Sequence, residues 1–142
     1  MAQRLHIKTP ELLREIKNWY NGYSWDGENF VYNPYSILSL LTEKTFRNFW
    51  FTSGTPTFLL KLIKDYDVNV ANLEHYETGE ALFESYDIDH MQVESLLFQT
   101  GYLTIRESHQ VSLGNREFVL SYPNLEVKES FLRHILTDFS SH

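Results

Sequence analysis

An α+β fold, mostly helical, is predicted from three observations. Helix starts recur through the first 65 residues as a polar residue followed by proline: Thr9-Pro10, Asn33-Pro34 and Thr55-Pro56. Apolar residues then repeat at helical spacing behind each start. Farther on, two alternating segments flank a Gly-Asn turn, and a capped helix follows. The expected architecture is a helical subdomain over 1–66, a connector over 67–88, and a winged-helix-like subdomain with a small antiparallel hairpin over 89–142.

The first helix opens at Thr9-Pro10-Glu11, with threonine as cap, proline at the first position and an acid in the first turn. Leu12, Leu13, Ile16 and Trp19 or Tyr20 fall on its apolar face, and Gly22 ends it. Asp26-Gly27 marks a turn, and Phe30-Val31-Tyr32 is a candidate short strand. Asn33-Pro34 opens the second helix, with Ile37, Leu38, Leu40 and Leu41 as its stripe. After an aromatic stretch, Phe46 to Phe51, Thr55-Pro56 opens the third helix with Phe58, Leu59, Leu62 and Ile63.

The acidic connector carries one short helix and one short strand. Asp89 and Gln92 match a capping box for a helix ending at Gln99, which Gly101 terminates. Tyr102 to Ile105 and Glu117 to Tyr122 read as partnered strands, joined through Leu113-Gly114-Asn115. Asn124 then caps a last helix that buries Val127, Phe131, Ile135, Leu136 and Phe139. Helix, strand, wing, strand, helix is the winged-helix order.

Composition narrows the function classes. Hydrophobic residues are 42% of 142, enough for a packed core. The net charge of −7 opposes nonspecific binding to nucleic acid or anionic lipid. With no cysteine there is neither a disulfide nor a thiolate metal site, which suits a cytoplasmic compartment. No apolar run has the length of a membrane span, and MAQRLHIK lacks a signal-peptide core. The six histidines show no ligand spacing, so no metal is expected. Aromatics reach 15%, and an exposed face among Trp19, Tyr20, Tyr23, Trp50 and Phe51 would favour self-association.

Three blocks carry a resemblance. They are Trp19-Tyr20-Asn21-Gly22-Tyr23 with Val31-Tyr32-Asn33-Pro34-Tyr35-Ser36; Phe49-Trp50-Phe51-Thr52-Ser53-Gly54-Thr55-Pro56-Thr57-Phe58-Leu59; and Leu96 to Ile105 with Tyr122-Pro123-Asn124-Leu125-Glu126-Val127. In this order they resemble the bacterial family of predicted AAA-ATPases that carry a C-terminal nuclease-like domain of the PD-(D/E)XK type. The resemblance implies that 1–66 is the ATPase lid. The partners it implies are an ATPase core and the nuclease-like domain of the same parent.

Neither a Gly-x-x-x-x-Gly-Lys-Ser/Thr loop nor a strand ending in paired carboxylates occurs here, so no catalytic residue is assigned. ATP or ADP is expected in the parent protein only, not on this fragment alone. In related signalling ATPases a Gly-x-Pro opens a lid helix and its proline packs on adenine. Gly54, Thr55 and Pro56 match that pattern, although an ordinary helix start uses the same residues. A winged-helix histidine can reach the nucleotide phosphate in such proteins, and His90 is the candidate, against a solvent-facing first-turn histidine. The implied function is a regulatory lid and winged-helix module that closes over adenine nucleotide and relays its state. The alternative is a DNA-binding winged helix. Its recognition position, His90 to Gln99, carries no Lys or Arg, and the wing offers only Arg106 and Arg116.

Overall fold

The computed structural model describes residues 3–4, 9–50, 56–80 and 92–140. It is α+β, as expected. The elements are β1 (Gln3–Arg4), α1 (Thr9–Tyr20), α2 (Pro34–Glu43), β2 (Thr45–Phe46), α3 (Thr57–Asp65), a 3-10 turn (Val70–Glu74), β3 (Tyr76–Thr78), α4 (Val93–Gln99), β4 (Thr104–Ser112), β5 (Asn115–Ser121) and α5 (Leu125–Ser140). β1 and β2 form an antiparallel pair, and a three-stranded antiparallel sheet runs β3-β5-β4.

Local chemistry accounts for most boundaries. The Asn33 side chain accepts from the Ser36 amide at 3.3 Å, and Pro34 takes the first turn of α2, where no amide is needed. Asn124 Oδ1 accepts from the Val127 amide at 3.0 Å and caps α5 in the same way. Gly22 and Gly101 follow α1 and α4 at φ 104° and 89°, the left-handed region where a side chain is strained. Gly114, at φ 81°, turns the β4–β5 hairpin.

Among the described residues two hydrophobic cores form. The first gathers Tyr20, Leu40, Phe46 and Phe49, with Leu12, Ile16, Trp19 and Ile37 packed against it. The second gathers Leu59 and Ile63 of α3 with Leu73, Leu97, Leu103, Ile105, Leu120, Val127 and Phe131. By its packing α3 therefore joins the sheet and α5, and the 3-10 turn and β3 of the connector stretch join them too, since β3 pairs with β5. The short helix and strand expected in that stretch are both present.

Several apolar faces differ from expectation. Leu38 and Leu41 are 65% and 59% exposed, and only Leu40 and half-buried Ile37 of that stripe face the core. α2 is apolar on nearly every side, so its spacing cannot select a face. Packing against α1 selects it. Leu13, Phe58 and Leu136 are likewise exposed. Tyr20, offered as a surface aromatic, is wholly buried, whereas Trp50 is exposed and meets the Tyr35 ring edge-on at 5.9 Å. The strand at Phe30–Tyr32 reduces to one bridge, Tyr23 to Val31. Among the described residues α4 begins at Val93 with Gln92 as its cap residue, and Asp89 lies outside them.

Candidate functional site

Of the residues singled out as nucleotide contacts, Gly54, Thr55 and His90 lie outside the described residues. Pro56 is exposed and is the cap residue of α3, its carbonyl accepting from the Leu59 and Leu60 amides at 3.1 and 3.2 Å. Its exposed ring leaves an apolar surface at the helix start.

The structure brings together a different set, centred on Glu126 in the first turn of α5. This carboxylate is completely buried. It accepts from the Ser36 hydroxyl at 2.8 Å to each oxygen, and from the backbone amides of Phe49 and Trp50 at 2.7 and 3.1 Å. Ser36 is itself buried, one turn into α2. One carboxylate thus ties α5 to α2 and to the stretch after β2. Burial pushes the Glu126 carboxyl upward, and the Phe49 and Trp50 amides and the Ser36 hydroxyl pull it back only in part.

Neighbouring contacts complete the junction. Asn124 Nδ2 donates to the Asn21 carbonyl at 2.9 Å. At Gly22 a Cβ would stand 1.9 Å from the Pro123 carbonyl oxygen, so the two backbones meet as only glycine permits. The Ser24 amide donates to Thr104 Oγ1 at 2.6 Å, and that hydroxyl donates back to the Ser24 carbonyl at 2.8 Å. The Tyr20 hydroxyl donates to the Arg47 carbonyl at 2.8 Å and accepts from its amide at 3.1 Å, and burial raises its pKa to about 12. Tyr23, half-buried against Asn33 and Asn124, is also raised to about 12 by burial.

The three sequence blocks therefore converge on one interface between the two cores. Its chemistry is that of a lock: neutral donors around one buried acid. Asn33 and Asn124 were legible as helix caps. Glu126 was not, because an acid in a first helical turn ordinarily faces solvent and answers the helix dipole. Ser24, Ser36 and Thr104 carried no local signal.

The arginines of the β4–β5 hairpin are engaged within the fold: Arg106 donates to the Tyr122 carbonyl at 2.8 Å and Arg116 to the Ser108 hydroxyl at 3.0 Å. Among the described residues no group of three or more His, Asp or Glu could hold a metal ion, and no helix is long and apolar enough to cross a membrane.

No protein-family model matches the chain, and no solved structure matches it. An uncharacterized protein in the vnfD 5′ region of Azotobacter chroococcum mcd 1 is 42% identical over 122 residues, which cover 86% of this chain. The chain spans 23% of that relative's length. The likeness is thus to one stretch of a longer protein whose printed name gives no activity.

Proposed function

We propose that this chain is the lid and winged-helix region of an AAA-type ATPase, a non-catalytic module that closes over adenine nucleotide and passes its bound state to the rest of the parent. The observation that carries the reading is the position of Pro56 relative to the Glu126 junction. Trp50, whose amide donates to Glu126 at 3.1 Å, lies six residues before Pro56 in the sequence. A ligand that displaces the start of α3 would therefore pull on a chain already tied to α5. The sheet order supports the second half of the reading: among the described residues β3, α4, β4 and β5 come in that order, and the short β3 pairs on the edge of β5 opposite β4, as in winged helices.

The test is a titration of ATP and ADP into the full-length parent and its Pro56→Ala variant, with thermal melts as the folding control. Weaker nucleotide binding at an unchanged melting temperature supports the reading, since Pro56 makes no side-chain cap hydrogen bond for alanine to lose, while the substitution removes the apolar ring. Equal affinities at equal melting temperatures would leave Gly54-Thr55-Pro56 as a helix start only.

A further inference from the structure

A cleft that Pro56 does not line lies where the end of α1 meets the start of α5. It is open to solvent and encloses about 740 Å³, a size that suits a small molecule. Its charge is opposite to that of the chain. Three cations line it, Lys17, Arg106 and Lys128, against one acid, Glu74, in a protein whose net charge is −7.

The cations come from three elements. Lys17 stands in the last turn of α1 and Lys128 in the first turn of α5, where it pairs with Glu74. Arg106 is the extra residue of a β-bulge: Ile105 pairs with Leu120 and Glu107 with Val119, so Arg106 has no partner across the ladder. Bulges re-aim side chains. Here the guanidinium reaches the Tyr122 carbonyl on the cleft wall, which takes one of its several N–H donors. Counting Glu74, the cleft keeps two net positive charges, matching a phosphate monoester near neutral pH. The exposed Phe30 ring forms an apolar wall of the same cleft.

We propose that this cleft binds a small organic phosphate, with the phosphate among Lys17, Arg106 and Lys128 and the organic portion against Phe30. A ligand held this way bridges α1 and α5, the two helices that the Asn21–Asn124 contact already joins. The proposal is independent of the nucleotide reading at Pro56.

The experiment is calorimetric titration of the full 142-residue chain, at low ionic strength, with inorganic phosphate and with phenyl phosphate. Wild type is compared with Lys17→Gln, Lys128→Gln, Phe30→Ser and Lys61→Gln; Lys61 is a surface lysine of α3 outside the cleft. Loss of one charge-assisted contact should weaken both probes about tenfold in Lys17→Gln and Lys128→Gln, with Lys61→Gln unchanged. Phenyl phosphate should bind more tightly than inorganic phosphate, and Phe30→Ser should erase that difference. Absence of binding, equal affinity in Lys17→Gln, Lys128→Gln and wild type, or equal affinity of wild type for the two probes overturns the proposal. The two lysines lie on separate helices, Lys17 exposed and Lys128 half-buried and paired with Glu74, so either variant alone decides if the other fails to fold.

Discussion

The Ser36 hydroxyl donates to Glu126 across 90 residues of sequence, at 2.8 Å to each carboxylate oxygen, with both side chains fully buried. This contact and the Phe49 and Trp50 amides on the same carboxylate join two cores that, among the described residues, have no apolar residue in common. A buried acid without a cation is costly unless every donor around it is aimed, and here hydroxyl and amides are aimed at one group.

Glu126→Ala should therefore destabilise the fold by about 3 kcal/mol, because it removes the carboxylate that the buried Phe49 amide, the part-buried Trp50 amide and the buried Ser36 hydroxyl all reach. Glu126→Gln keeps one acceptor oxygen and should cost about half as much. Urea unfolding of both variants, followed by Trp fluorescence, measures the difference. A loss within about 0.5 kcal/mol for Glu126→Ala would assign the junction no energetic role.

The pH dependence follows from the same group. Burial raises the folded carboxyl above its unfolded value. A raised acid binds its proton more tightly when folded, so its contribution is fully present below the unfolded pKa and is lost as pH rises through the folded one. Glutamine does not titrate. The stability of wild type relative to Glu126→Gln should fall as pH climbs out of the ordinary carboxylate range. A gap that is flat or widens with pH would contradict the shift.

At Gly22, alanine faces two penalties. The backbone sits at φ 104°, and the new Cβ would overlap the Pro123 carbonyl oxygen at 1.9 Å. Strain alone costs about 1–3 kcal/mol, and relieving the clash must separate α1 from α5, so a loss above about 3 kcal/mol is expected. Gly114→Ala is the control: it shares a positive φ of 81° but meets no atom within 4 Å, and strain is its only cost. Thermal melts of the two should differ clearly, and equal melting temperatures would mean the Gly22–Pro123 approach yields easily.

On α2, Leu40→Ala should cost about 3 kcal/mol, since Leu40 is wholly buried beside Tyr20 and Phe46. Leu38→Ser, at a site 65% exposed, should stay within about 0.5 kcal/mol. Chemical denaturation of both checks the assignment of faces. A large loss in Leu38→Ser would show that the face is covered in solution.

What the sequence by itself determined here was local. Asn33-Pro34 and Asn124 start helices because a side-chain oxygen satisfies an orphan amide within three residues. Gly22, Gly101 and Gly114 mark ends and a turn because glycine accepts the left-handed backbone without strain. A hairpin partnered with Glu117 to Tyr122 was legible, but its first strand runs Thr104–Ser112 and not Tyr102 to Ile105; in α5 periodicity marks the buried Val127, Phe131 and Ile135 and misplaces the exposed Leu136. The tertiary structure decided which side of an apolar helix faces inward, hence Leu40 in the core and Leu38 and Leu41 outside. It decided that α3 packs with the sheet, because Leu59 and Ile63 share a core with residues as far along the chain as Leu120 and Phe131. It also decided the role of Glu126. An acid in a first helical turn is written identically whether it faces water or a hydroxyl and two amides of other elements, and the difference lies in what long-range packing brings to it.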